Sequence, residues 1–111
     1  MPVILTDDNF EKETQRTDRI SLVDFYATWC EPCSILAPVL EKLEKEFEEK
    51  IVLLKANVDD NQINARRFQV DRIPRVVLFK NGDPISSFTG PRPEPVLREW
   101  IQKIIQEDTK N

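Results

Sequence analysis

The segment 20–26, Ile-Ser-Leu-Val-Asp-Phe-Tyr, is a nearly continuous apolar run rather than an alternating one. A strand with one face in water alternates apolar and polar side chains. A run of this kind belongs to a parallel strand covered on both faces. Such a strand needs helices on either side of its sheet, which commits the chain to a layered α/β fold. The 111 residues give room for one domain, 1–111, and 40% of them are apolar, enough for one core.

The rest of the pattern is consistent with that demand. Residues 3–5 read as a short strand, and 7–18 as a polar helix with Thr6 or Asp7 at its N-cap. A long helix is expected over 32–49, where Ile35, Val39, Leu43 and Phe47 recur every four residues beside Leu36 and Leu40. Pro38 lies inside it and should bend it. Glu41–Lys45 and Glu46–Lys50 are spaced as ion pairs along its outer face. Residues 51–57 form the next strand, 61–68 a short helix and 75–80 a further strand. Asn81-Gly82 marks a tight hairpin into 85–89. The last helix, 93–107, carries an apolar stripe of Val96, Leu97, Trp100, Ile101, Ile104 and Ile105. The order is β-α-β-α-β-α-β-β-α, a crossover half followed by a hairpin half around one sheet.

Composition excludes several classes of function. There is no histidine, which removes Ser-His-Asp triads, Cys-His pairs and every His-ligated metal site. Sixteen basic against twenty acidic residues give a net charge of −4, so no nucleic-acid partner is expected. No stretch approaches the roughly 18 apolar residues of a membrane helix. The first residues, Met1-Pro2-Val3-Ile4-Leu5, carry no basic region, and no secretory signal is expected.

The two cysteines, Cys30 and Cys33, are spaced C-x-x-C between the apolar strand and the long helix. As a staple this pair is weak, since closing a ring of about four residues is worth only about 2 kcal/mol before strain. Its place is better suited to chemistry. A helix N-terminus offers unpaired N–H groups and about half a positive charge. Both favour thiolate, the reactive form of cysteine. Cys30 precedes the first turn, where a partner can reach it, and Cys33 lies one turn in. Half of a metal or iron–sulfur site is the other reading, and it would need a second chain. On the residues alone, Asp24 could end its strand in solvent, Lys55 could be solvated and Trp29 could be core. Asp59, Asp60 and Asp83 read as turn residues.

The segment Asp24-Phe25-Tyr26-Ala27-Thr28-Trp29-Cys30-Glu31-Pro32-Cys33 resembles the active-site segment of the thioredoxin family, with Glu31 where most members carry Gly. Four further segments resemble that family in the right order: Lys55-Ala-Asn-Val-Asp59, Ile73-Pro74, Lys80-Asn81-Gly82 and Thr89-Gly90. The resemblance implies a thioredoxin-like fold, α/β with a central mixed sheet flanked by helices, and the reduction of protein disulfides. It implies that Cys30 is the nucleophile and Cys33 the resolving thiol. Asp24 would be a buried carboxylate moving protons to or from Cys33, with Lys55 near it. Trp29 would cover the disulfide and contact partners, with Glu31 and Pro32 beside it. Pro74 would be cis, the Ile73 backbone would pair with an extended substrate segment, and Gly90 would let that segment come close. The resemblance further implies no bound cofactor, disulfide-containing proteins as partners, a thioredoxin reductase as electron donor, and a monomer. The start of the chain fits a cytoplasmic setting. The alternatives are a disulfide oxidase or isomerase with the same site, or a metal- or iron–sulfur-bridged dimer.

Three positions depart from the family's pattern. Glu31 places a negative charge between the thiols, opposing thiolate by roughly 0.7 kcal/mol at about 6 Å in high dielectric. Ser34 stands where a basic residue is usual. Arg75 replaces the usual Thr after Pro74 and should act in the opposite direction, close to the thiols. Arg72, Arg75 and Arg92 are expected to form a basic arc flanking Cys30 that favours acidic partners.

Overall fold

The computed structural model describes residues 2–110, Lys110 by its backbone alone. Strands β1 (Val3–Leu5), β2 (Ile20–Tyr26), β3 (Ile51–Asn57), β4 (Arg75–Lys80) and β5 (Asp83–Thr89) build one five-stranded sheet in the order β1-β3-β2-β4-β5. Helices α1 (Phe10–Thr14), α2 (Glu31–Glu46), α3 (Gln62–Arg67) and α4 (Glu94–Lys110) connect and cover it. The expected order of elements is reproduced. Strands β1, β3 and β2 run parallel, and β4 and β5 are antiparallel to their neighbours. The apolar run 20–26 is the central strand, buried from Ile20 to Phe25.

Alternation along β2 and β3 separates two cores. Ile20, Leu22, Ile51 and Leu53 face α2 and α4, meeting Leu36, Leu40, Leu43, Leu97 and Ile101. Val23, Phe25, Leu54 and Val77 face the opposite side, where Phe10 of α1 packs. There Phe10 stacks on Phe68 at 5.6 Å and meets Phe79 edge-on at 5.8 Å. Trp100 belongs to the first side, edge-on to Phe88 at 5.1 Å, its indole N–H donating to Ser86 Oγ at 2.9 Å.

Several local expectations need correction. The first helix is Phe10–Thr14 and not 7–18, and its N-cap position is held by Asn9 rather than Thr6 or Asp7. Asp7 instead caps α3 from a distance. Its carboxylate accepts from the backbone N–H groups of Ile63 and Asn64, each at 3.0 Å, and from Asn64 Nδ2 at 2.7 Å. Helix α2 stays helical through Pro38. Ile35 is 63% exposed and Val96 is 49% exposed, so neither joins the stripe assigned to it. Glu46 does not pair along its own helix. It binds Arg98 of α4 at 2.8 Å, while Lys42 reaches Glu94 at 3.1 Å. These contacts fasten α2 to α4. At the hairpin, Asn81 and Gly82 both have positive φ, 51° and 83°, as a two-residue turn of this kind requires. No helix among the described residues is long and apolar enough to cross a membrane.

Candidate active site

Strand β2 ends at Tyr26, and Ala27, Thr28 and Trp29 carry the chain to the start of α2. Cys30 occupies the N-cap position in an extended conformation (φ −95°, ψ 107°). Its sulfur accepts the Cys33 backbone N–H at 3.3 Å. A cysteine therefore does here what Ser, Asp or Asn does at most helix starts. Pro32 sits in the first turn, where its missing N–H costs no hydrogen bond. The helix start thus aims an N–H and the positive end of its dipole at one sulfur.

Cys30 and Cys33 are joined as a disulfide, with Cα atoms 5.3 Å apart. Both residues are buried, Cys33 at 2% exposed more completely than Cys30 at 7%. The side chains packed around the pair come from Ala27, Tyr26, Val58 and Ile73. Trp29, expected over the disulfide, stands 72% exposed beside it. Tyr26 and Val58 fall within the segments that resemble the family, but nothing in the sequence marked either as packing on the cysteine pair. The turn after β3 brings Val58 in, its N–H donating to the Tyr26 carbonyl at 2.8 Å.

Asp24 and Lys55 lie on the α2 side of the sheet, in direct register across β2 and β3. Asp24 is fully buried, and Lys55 Nζ stands 2.6 Å from its Oδ2. The ammonium also lies 4.6 Å from the centre of the Tyr26 ring. Asp24 Oδ1 is buried with no hydrogen-bond partner. Burial pushes the Asp24 carboxyl above the usual carboxylate range, and Lys55 offsets this only in part; Glu41 adds a small push in the same direction. The site thus holds a redox-active sulfur pair and, near the end of the strand that leads to it, a buried carboxyl that keeps its proton to higher pH than an exposed one.

The Ile73–Pro74 peptide bond is cis. Ile73 packs on the cysteine pair, and the Pro74 carbonyl accepts the Gly90 N–H at 2.8 Å. Gly90 has φ 85°, and a Cβ there would meet no atom of this chain within 4 Å. Arg75 lies on the face opposite Asp24. It alternates with Val76 along β4, shares its side of the sheet with Val77, and donates from Nη1 to Thr89 Oγ1 at 2.8 Å. Arg92 is exposed and rests 5.5 Å from the Phe88 ring, and Arg72 is exposed. Glu31 is exposed in the first turn of α2, and Ser34 Oγ donates to its carbonyl at 2.7 Å. Among the described residues no three acidic, Cys or His side chains gather as a metal would need.

Fold and site together define a thiol–disulfide oxidoreductase built on a mixed α/β sheet. Comparison with known proteins narrows the class. The family model for thioredoxin matches residues 1–103. The thioredoxin of Staphylococcus saprophyticus is 43% identical over 101 residues, which is 91% of this chain and 95% of its own length. That of Staphylococcus haemolyticus is 42% identical over 101 residues, with the same 91% and 95% coverage. That of Rickettsia bellii is 40% identical over 101 residues, 91% of this chain and 96% of its own. The chain belongs to the thioredoxin family and is a protein-disulfide reductase by that membership. Neither an oxidase or isomerase nor a metal-bridged dimer is favoured by this relationship.

Proposed function

We propose that Cys30 attacks a disulfide of a partner protein and that Cys33 resolves the product. The Cys30 thiolate displaces one partner sulfur as a thiolate and forms a mixed disulfide. Cys33 then gives its proton to the Asp24 carboxylate and attacks Cys30 Sγ. The Cys30–Cys33 disulfide forms, and the second partner thiol leaves, taking up the proton. Two electrons pass to the partner. A thioredoxin reductase, returning two electrons and one proton, would reset the pair to the Cys30 thiolate and the Cys33 thiol. No bound cofactor takes part in the exchange.

The observation that carries this reading is the hydrogen bond from the Cys33 N–H to Cys30 Sγ at the N-cap of α2. It favours negative charge on Cys30 and leaves Cys33 as the more buried, protonated member. In the same reading Lys55 biases Asp24. The Ile73 backbone, presented by the cis-Pro74 loop, pairs with the partner segment. Trp29, Glu31, Pro32 and Gly90 form the surface it meets. We place the chain in the cytoplasm as a monomeric, single-domain carrier.

Replacing each cysteine in turn tests the order of attack. Cys33→Ser should trap a stable mixed disulfide with a disulfide-containing peptide, seen as one added peptide mass and lost on reduction. Cys30→Ser should trap none. Trapping by Cys30→Ser and not by Cys33→Ser would reverse the two roles.

A further inference from the structure

Arg16, Arg19 and Arg98 each hold a carboxylate. Among the described residues, Arg66, Arg67, Arg72 and Arg75 hold none, and they lie within one short stretch whose only acid is Asp71. On a chain of net charge −4 this is a local excess of positive charge. Its centre is Arg75. One depression of about 320 Å³ runs from Arg75 over Phe68, Val77 and Ile85. Another of about 510 Å³ is lined by the same Arg75 with Arg66, Gln69 and Asp71, two basic side chains against one acid.

The Arg75 guanidinium is held in place but not satisfied. Nη1 donates to the neutral Thr89 Oγ1, and Nε is buried with no acceptor. A guanidinium is a planar fork that matches a carboxylate with two parallel hydrogen bonds. Beside it Phe68, Val77, Pro84 and Ile85 form an apolar strip bordered by Ser86 and Ser87, with Ile85 45% exposed and the Arg67 guanidinium 5.0 Å from the Phe68 ring. The groove adjoins the cysteines through Pro74 and Ile73, the latter packed on the disulfide.

We propose that this groove between α3 and β5 docks an acidic segment of the disulfide-bearing partner, with Arg75 receiving a carboxylate and the Phe68–Val77–Ile85 floor receiving an adjacent apolar side chain. The proposal rests on the reductase reading above and names the partner class for it. It relocates the expected basic arc. Arg75 stays in the arc, Arg66 on the α3 side joins it, and Arg92, over the Phe88 ring, lines neither depression.

Two disulfide-bonded peptides that differ only in Glu against Gln residues next to the disulfide provide the test, reduced by the full chain with excess dithiothreitol. At low salt the acidic peptide should react about tenfold faster in kcat/KM, a preference of the size charge complementarity gives. The ratio should approach one at high salt, where screening falls to within a few ångströms. Arg75→Gln should bring the ratio near one even at low salt. Arg66→Gln, an exposed helical position, should lower it about threefold. A wild-type ratio near one, or a ratio unchanged in both variants, overturns the proposal. If the chain reduces neither peptide, the reductase reading fails. Anisotropy titration with the same peptides carrying Ser for Cys then decides the groove. Tighter binding of the acidic peptide that Arg75→Gln abolishes supports it, and equal binding of both peptides overturns it.

Discussion

The carboxylate of Asp24 and the ammonium of Lys55 face each other at 2.6 Å across the two innermost parallel strands, in a register that makes them direct partners. A lone buried ion pair needs further hydrogen bonds to offset the cost of leaving water. Lys55 finds the Tyr26 ring on another side, whereas Asp24 Oδ1 finds nothing. Desolvation therefore outweighs attraction at Asp24, and its carboxyl titrates above the usual range. That imbalance is useful in a proton carrier and costly for the fold.

The cost has a sign that can be measured. The folded state holds the Asp24 proton to higher pH than the unfolded chain, so the contribution to stability is full in acid. It is lost as pH rises through the raised carboxyl value. The Asp24→Asn variant lacks this slope. In urea unfolding from about pH 4 upward, wild-type stability should decline relative to the variant by about 1.4 kcal/mol for each unit of elevation. A flat difference would mean that Lys55 fully compensates burial. Resolution of the mixed disulfide should be slowed about 100-fold in the same variant, the lower range for loss of a positioned acid–base group.

Asp7 makes the opposite electrostatic case. Burial alone would raise its carboxyl, but the N–H groups of Ile63 and Asn64 and the Asn64 amide together hold it below the usual range. Its contribution is present above the unfolded carboxylate value and is lost as pH falls through the lowered one. Asp7→Ala should cost about 1–2 kcal/mol at neutral pH, the worth of a good N-cap. In a urea series the loss should begin to shrink below about pH 4, the unfolded carboxylate value, and vanish as pH falls through the lowered folded one. A loss independent of pH would assign Asp7 a packing role instead.

Local patterns made most of this fold legible, and long-range partners made the rest obscure. The bounds of β1, β2, β3 and β4 follow from apolar runs and turn residues. Asn81-Gly82 announced the hairpin because few other pairs accept two positive φ values. The Ile35 error came from a four-residue repeat. Each such step turns about 40° around a helix of 3.6 residues per turn, so Ile35 and Phe47 cannot share one face. Leu36, Leu40 and Leu43 mark the buried face instead. Asp7 capping Ile63 and Asn64 bridges segments far apart in the chain, and no local rule finds it. The cysteines were legible because spacing and position both identify them. The nearness of Lys55 to Asp24 came from the family resemblance alone; no local pattern gives their register, which is set by how the α2 crossover returns the chain.

Glu31 provides a charge test at the sulfurs. It is exposed in the first turn of α2, so its effect on Cys30 is through high dielectric and small. Glu31→Gln should stabilise the Cys30 thiolate of the reduced chain by roughly 0.7 kcal/mol, about a threefold rise in thiolate fraction below the midpoint. Thiolate absorbance in the ultraviolet, followed against pH, reads this directly. The shift should shrink in high salt, because an exposed charge is screened. An unchanged titration at low salt would remove Glu31 from the factors that set thiol reactivity.

The last prediction concerns an edge of the sheet. Strand β1 is only three residues long and pairs with Leu54–Ala56, so among the described residues no strand pairs with the earlier part of β3 on that side. Glu44 of α2 fills the gap, accepting the Leu53 backbone N–H at 2.6 Å. An open parallel edge invites pairing with another chain, and a charged side chain turned onto it discourages that. Glu44→Leu removes both the acceptor and the charge. It should cost about 1–3 kcal/mol in urea unfolding, the price of an unmade hydrogen bond to a charged acceptor. It should also produce concentration-dependent association in light scattering. Glu44→Gln keeps an acceptor and should recover most of the stability while restoring less of the solubility. Equal behaviour of the two variants in both measurements would show that Glu44 acts through packing alone.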